Sequence, residues 1–280
     1  MSENLTILNI GCHPKDAIIY SGGTIAKHSA RGDKVCILTT TTGVALHLRA
    51  IEEYRNTGNV SDIDSLIDDK KRELVEAANE LGVSDVRFLG YDDEIVLPTP
   101  KIVSDIADVI GEISPNIIIT HWPYDSVPAH AATAQMTLLA IDAASGIRKG
   151  TPYSPTGGDT GGEQAQIFYH SHPGRTNVLE NLAIRMPTTV IDITDVVQNK
   201  SNAMNKFKSQ DYGEDRPLQK KFGEALDGSH YSIHALVPYS EAFVAHNAEV
   251  YEYLPLSDYR RKLFNMSSEE ILNYQTQILL

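Results

Sequence analysis

Short apolar runs rich in β-branched residues recur along the chain, and stretches of helical period separate them. "LTILNI" (Leu5 to Ile10), "KVCILT" (Lys34 to Thr39), "DVRFL" (Asp85 to Leu89), "NIIIT" (Asn116 to Thr120), "QIFY" (Gln166 to Tyr169) and "TTVIDI" (Thr188 to Ile193) read as strands. A strand covered on both faces reads as an unbroken apolar run, and parallel strands need a crossover between them. The alternation therefore predicts βαβ units and an α/β fold, a Rossmann-like three-layer sandwich around a mostly parallel sheet. Helices are expected over Gly22 to Ala30, Ile63 to Leu81, Lys101 to Ile113, Ala131 to Ala144 and Asp195 to Ser209. Ser61 reads as the cap of the second and Gly82 as its stop.

Residues 1–250 are expected to form one α/β domain. Within it, "RKGTPYSPTGGDTGGEQ" (148–164) has no periodic apolar face and reads as a flexible loop, a candidate lid. Residues 251–280 carry enough Tyr, Leu and Ile to pack on that domain or on a neighbouring subunit, so a homo-oligomer is one expectation. The formal charge of −13 excludes nucleic acid and anionic membranes as general partners, because their fields repel such a chain. A small-molecule substrate is the remaining partner. Cys12 and Cys36 stand alone on predicted strands, which argues against a disulfide framework. With no apolar run near the roughly 18 residues of a membrane span, a cytoplasmic protein is expected. The chain has no GxGxxG after the first strand, no GxxxxGK[ST] and no GxSxG, which removes the dinucleotide, P-loop and serine-hydrolase readings.

Ligands of open parallel sheets lie beyond the carboxyl ends of the strands. His13 and Asp16 follow the first strand there, and an i, i+3 spacing brings imidazole and carboxylate to one side if the chain begins to coil. The strand Asn116 to Thr120 runs into "THWPYDSVPAH", which crowds His121, Asp125 and His130 ahead of a helix. Two imidazoles and one carboxylate, with a position left for water, make a donor set for a catalytic Zn²⁺.

In these segments the chain resembles the PIG-L/LmbE family of zinc-dependent N-deacetylases. "GCHPKDAIIYSGG" is similar to the family's A-H-P-D-D-E strand end and Gly-Gly helix start. "GDKVCILTTTTG" is similar to its second strand and T-x-G turn, and "KKRELVEAANELGVSDVRFLGYDDE" to its R-x-x-E helix, LGV turn and FLGYPD strand. "IIITHWPYDSVPAH" resembles the region that ends H-P-D-H. "TVIDITDVVQNKSNAMNKFKSQ" and "YSEAFV" resemble its later V-D-I-T and E-A-F segments, so the likeness runs over about residues 5–245. The resemblance implies an LmbE-like fold and a metal held by His13, Asp16 and His130.

The resemblance does not carry over the proton-transfer residues. The general base, first Asp of H-P-D-D, aligns with Lys15, and the final Glu of that motif with Ala17. The leading His of H-P-D-H aligns with Val127, and its Asp with Ala129. Lys15 can serve as a base only when neutral; if cationic, it changes the local charge by about +2 and favours an anionic, carboxylate-bearing substrate. It can also simply turn to solvent. Substitute acid–base groups come from His47, Asp93, Glu94, Asp125, His170 or His172, with Lys15, Asp125 and His47 taken as the catalytic candidates. Asp125 also suits the orientation of a metal-bound imidazole. His170 and His172 alternate across a strand end, so at most one faces the site. The leading reading is hydrolysis of an N-acyl or related C–N bond. The alternatives are a zinc-assisted hydratase or lyase on an unsaturated dicarboxylate, like 4-oxalomesaconate hydratase, and a metal-binding homologue without activity.

Overall fold

The computed structural model describes residues 4–93, 97–147, 165–170, 188–212, 237–249 and 251–276. Seven strands form one sheet: β1 (Thr6–Gly11), β2 (Lys34–Thr41), β3 (Asp85–Tyr91), β4 (Ile117–Thr120), β5 (Gln166–His170), β6 (Thr189–Asp192) and β7 (Ser240–Ala245), in the order β3-β2-β1-β4-β5-β7-β6. β1 to β5 are parallel to one another, and β7 lies antiparallel between β5 and β6. β1 lies inside the sheet between β2 and β4, where five of its six residues are buried, as its unbroken apolar run requires.

Helices cover both faces, which gives the three layers expected. α1 (Asp16–Arg31), α3 (Ile63–Glu80) and α6 (Val197–Met204) pack on one core with Ile7, Ile18, Leu74 and Met204. α4 (Pro100–Ile113) and α5 (Pro128–Ile147) close the other with Leu8, Ile10, Ile106 and Met136. Two residues of β1 adjacent in sequence, Ile7 and Leu8, thus feed opposite cores, as the pleat dictates. A short α2 (Leu48–Thr57) follows β2, and α7 (Asp258–Phe264) and α8 (Ser268–Gln275) occupy the C-terminal segment. Tyr274 of α8 donates a hydrogen bond to the Asp192 carboxylate at the end of β6, so the tail touches its own sheet. Among the described residues, no helix is long and apolar enough to cross a membrane.

Four expectations need correction. The first helix starts at Asp16 rather than Gly22. A kink at Ser21 (φ −143°, ψ 15°) divides it, and only the part beyond the kink has the expected boundaries. Ser21 bends the helix there by donating to the Ala17 carbonyl (2.9 Å) while accepting from Asn9 (2.8 Å). The cap of α3 is Asp62, whose carboxylate accepts from the Ser65 N–H, whereas Ser61 donates its hydroxyl to Glu53. Gly82 does stop that helix, at φ +76°. The helix expected over Asp195 to Ser209 contracts to α6, flanked by 3₁₀ turns at Thr194–Val196 and Lys208–Gln210. α2, β7 and the two tail helices are additional. The loop at 148–164, Glu94 and His172 lie outside the described residues.

Two glycines permit close approaches that matter for the site. A Cβ on Gly23 of α1 would stand 2.6 Å from Ile193 Cγ2, so α1 seats against the segment after β6 only because that carbon is missing. Gly43, in the turn after β2, has φ +71°, and a Cβ there would meet Pro14 at 2.6 Å. That contact braces the loop that carries His13.

Candidate metal centre

β1 and β4 are adjacent parallel strands, so their carboxyl ends deliver His13, Asp16, His121 and His130 to one place. The chain turns sharply after Cys12. The His13 N–H donates to Asp16 Oδ2 at 2.7 Å, and Asp16 opens α1, where a carboxylate is favoured by the positive end of the helix dipole. His13 Nδ1 lies 3.2 Å from Asp16 Oδ2 and 3.2 Å from His130 Nε2, and His130 Nε2 lies 3.6 Å from Asp16 Oδ2. Asp16 is fully buried and His130 nearly so.

His130 Nδ1 faces Asp125 Oδ2 at 3.1 Å, while Asp125 Oδ1 accepts the Val127 N–H at 2.8 Å. A proton held on Nδ1 leaves the Nε2 lone pair aimed at Asp16 and His13. His121 stacks on His130 with ring centres 4.0 Å apart. Its Nε2 accepts the Cys12 N–H at 2.9 Å and stands 3.1 Å from Asp16 Oδ2. His121, Asp125 and His130 also lie close enough to hold an ion, but the Asp125 contact occupies the Nδ1 of His130. His13, Asp16 and His130 are therefore the better donor set.

This set fits a small divalent ion on two counts. Donor atoms about 2.0–2.2 Å from a tetrahedral ion are separated by about 3.3 Å, close to the 3.2, 3.2 and 3.6 Å found here. Asp16 Oδ1 is buried without a hydrogen-bond partner, so the carboxylate that faces the three imidazoles through Oδ2 keeps an orphaned acceptor. The charges point the same way. Burial opposes ionisation of Asp16, yet the charges of His130 and His13 and its hydrogen bonds hold its carboxyl well below the usual range. Burial and the neighbouring His121 push His130 down to about 4, leaving it a neutral donor. Burial opposes the charge on His13, yet the charge and hydrogen bond of Asp16 together with Cys12 raise it well above its ordinary value.

Around this cage the other candidates divide. Lys15 is buried rather than turned to solvent, at the N-cap of α1, with its Nζ over the Tyr212 ring at 5.6 Å. His47 is buried at the N-cap of α2, where its Nδ1 accepts the Arg49 N–H (3.1 Å) and its Nε2 lies 3.5 Å from Asp69. Both of its nitrogens face α2 and α3. Asp93 binds the Gly43 and Ala45 N–H groups at 2.6 and 2.7 Å and shapes the turn after β2. His170, at the end of β5, is buried with neither ring nitrogen hydrogen-bonded. It stands 5.3 Å from the Tyr20 ring and 5.4 Å from that of His121. Burial, then the His121 charge, holds it well below its ordinary value.

One residue escaped the sequence reading. Lys70 of α3 is fully buried, and its Nζ has no hydrogen-bond partner. Its signal was helical period: Leu66, Lys70, Glu73, Leu74 and Ala77 share the buried stripe of α3, where a lysine is out of place.

A sheet of this order with two imidazoles and a buried carboxylate at its central strand ends is an α/β fold carrying a candidate metal centre. Residues 8–141, which hold every member of the cage, match the PIG-L family model, described as GlcNAc-PI de-N-acetylase. The 1D-myo-inositol 2-acetamido-2-deoxy-alpha-D-glucopyranoside deacetylase of Thermomonospora curvata is 33% identical over 172 residues. That match spans 53% of this chain and only 57% of the relative. The enzyme of the same name from Rhodococcus erythropolis is 27% identical over 247 residues, 73% of this chain and 80% of that one. Among solved structures, the N,N'-diacetylchitobiose deacetylase of Pyrococcus horikoshii superposes with a TM-score of 0.61 at 24% identity, over 85% of this chain and 82% of that one. The 4-carboxy-2-hydroxymuconate hydratase of Pseudomonas putida superposes with a TM-score of 0.64 at 20% identity, over 90% and 100%. These two likenesses establish the fold.

Proposed function

We propose that the protein is a zinc-dependent N-deacylase that releases a small acid from an N-acyl compound bearing an anionic group. The observation that carries this reading is the convergence of His13, Asp16 and His130 at separations that suit one tetrahedral ion, with Asp125 behind His130. The deacetylase relatives and the family match support the reaction class. Those three residues would hold the zinc, which when bound polarises the acyl carbonyl and lowers the pKa of a water.

The chain's own residues do the rest. Asp125 keeps the proton on His130 Nδ1, and the Cys12 N–H fixes the orientation of the His121 ring. The buried walls formed by Asp16, His121 and His130 keep bulk water from the cage and strengthen the electrostatics inside it. Lys15 presents an ammonium where the resemblance puts a carboxylate, so it faces the anionic group of the substrate. On this reading residues 1–250 form the catalytic domain and 251–280 an extension tied to it through Tyr274. Two buried, unpaired cysteines support a cytoplasmic setting.

The test is elemental analysis of folded protein, followed by acid release from a panel of neutral and carboxylate-bearing N-acyl compounds with and without chelator. One zinc per chain, turnover that chelation abolishes and zinc restores, and loss of both in His130→Ala are expected. Folded protein that takes up no ion, or turnover indifferent to chelation, overturns the reading.

A further inference from the structure

We propose that Cys12 is a positioning residue of the metal cage: its thiol sulfur holds the ring of His13 so that Nδ1, and not Nε2, is the atom offered to the ion. The inference takes from the deacylase reading only the metal, not the reaction.

A neutral imidazole ligates through one nitrogen and keeps a proton on the other, and the partner of that proton selects the nitrogen. His130 has a carboxylate for the purpose, with Asp125 Oδ2 3.1 Å from its Nδ1. His13 is turned the other way. Its Nδ1 stands 3.2 Å from both Asp16 Oδ2 and His130 Nε2, so a proton left on the metal-bound ring belongs to Nε2. Cys12 Sγ lies 3.7 Å from that atom and, among the described residues, is its hydrogen-bond partner. Sulfur is a weak acceptor, so the contact orients the ring more than it binds it.

The backbone of Cys12 leaves the thiol little choice of place. Its N–H donates to His121 Nε2 at 2.9 Å, beyond the end of β4. Its carbonyl accepts the N–H and the hydroxyl of Thr41, each at 2.9 Å, and the hydroxyl of Thr40 at 3.3 Å, all at the end of β2. The chain on either side of β1 thus fixes both peptide groups of Cys12, and a single side-chain torsion remains. Packing does not account for the residue. Cys36 lies in the core with Leu8, Leu38 and Ile110, whereas Cys12, buried as completely, is a member of neither apolar core. Set against A-H-P-D-D-E, "CHPKDA" puts Cys12 at the motif's alanine, whose methyl can accept nothing. The two imidazoles of the cage therefore differ: a carboxylate behind His130 adds electron density, while a thiol behind His13 sets the ring and adds little.

The test combines nuclear magnetic resonance of the full chain, isotope-labelled at the histidine nitrogens, with zinc affinity read by competition with a chelating dye. The His13 signals are assigned by their loss in His13→Gln. Zinc-loaded wild type is expected to show a metal-bound Nδ1 and a protonated Nε2 on His13. Cys12→Val and Cys12→Ala both lack the acceptor but differ in bulk. In each, the Nε2 proton should exchange with water severalfold faster and zinc affinity should fall about tenfold, the low end for a group behind a metal-bound imidazole. The ring signals decide. If they are unmoved in both variants, any loss of affinity is a packing effect and the proposal falls; an ion on Nε2 of wild type overturns it without any variant. If folded wild type takes up no ion, the metal reading fails, and the role of the sulfur is decided in the ion-free chain: faster Nε2 proton exchange in the variants supports it and unchanged exchange overturns it.

Discussion

Lys15 stands where the resemblance places a carboxylate that takes the water proton, and on the deacylase reading the residue at this position decides what the cage can do with an amide. Lys15→Asp is expected to raise release of acetate from neutral N-acetyl compounds by about a hundredfold, the low end of what a placed general base contributes. The same change should remove any preference for anionic compounds; unaltered turnover of both kinds would put the base elsewhere. Asp125→Asn tests the carboxylate behind His130, and a ten- to hundredfold loss of zinc affinity, read by competition with a chelating dye, is the expected result. Lys70 yields a pH prediction. Burial, then Lys15, brings its pKa from 10.5 to about 7 against the pull of Glu73, so between those values the unfolded chain holds a proton that the folded chain lacks. Stability of the wild type therefore gains from Lys70 as pH rises from about 7 towards 10, and the burial penalty is largest below 7. Lys70→Met should raise the thermal midpoint most at pH 6, with the gain shrinking towards pH 10. A gain that does not depend on pH would mean that Lys70 is not held charged at a cost. The cage residues were legible because strand ends and motif order mark them; Lys70 was not, since a lysine inside a charged "DDKKRE" run looks solvated until the stripe is traced.

At the level of elements, the alternation of apolar runs and helical periods located six strands, of which β1, β2 and β4 are almost wholly buried and β3, β5 and β6 only partly so. β7 was not legible as a strand from periodicity, since "SEAFVA" holds a buried Ser240 and a Glu241 whose reason to be there is distant in sequence. Glu241 bonds Lys200 and two N–H groups of α1, a set of partners that only the tertiary fold assembles. The start of α1 was misplaced for a related reason. Its first turn carries the candidate ligand Asp16 and a kink follows at Ser21, so local pattern fades where the candidate site begins. The Gly-Gly pair after the kink has a packing role that can be measured. Gly23→Ala drives a methyl into Ile193, and a loss of about 1–3 kcal/mol in urea unfolding is expected. Shortening the obstacle with Ile193→Ala in the same chain should recover part of that loss. Additive destabilisation by the two changes would show that the close approach is not what Gly23 provides.

The whole molecule is held by one sheet, and the cage joins two of its central strands at their carboxyl ends. His13 and Asp16 belong to the β1–α1 turn and His130 to the start of α5, so an ion between them ties the first βα unit to the fourth strand and its helix. Those units lie on opposite cores, Ile18 of α1 in the one with Ile7 and Met136 of α5 in the one with Leu8. Without the ion, the link is hydrogen bonds around a single buried carboxylate with one oxygen unsatisfied. Binding to the folded chain alone stabilises it by RT ln(1 + [Zn]/Kd), about 4 kcal/mol at a thousandfold excess over Kd. Chelation should therefore lower the thermal midpoint by several degrees, and zinc should restore it in a concentration-dependent way. The signature that separates this from nonspecific metal effects is its distribution. Hydrogen exchange should quicken on chelation at the ends of β1 and β4 and in the first turns of α1 and α5, while β3 and α4 stay protected. His130→Ala should show the chelated pattern whether or not zinc is present. A midpoint that moves with zinc equally in wild type and His130→Ala would mean that the ion binds elsewhere on this strongly acidic chain, and the strand ends would lose their role as the centre of the protein's chemistry.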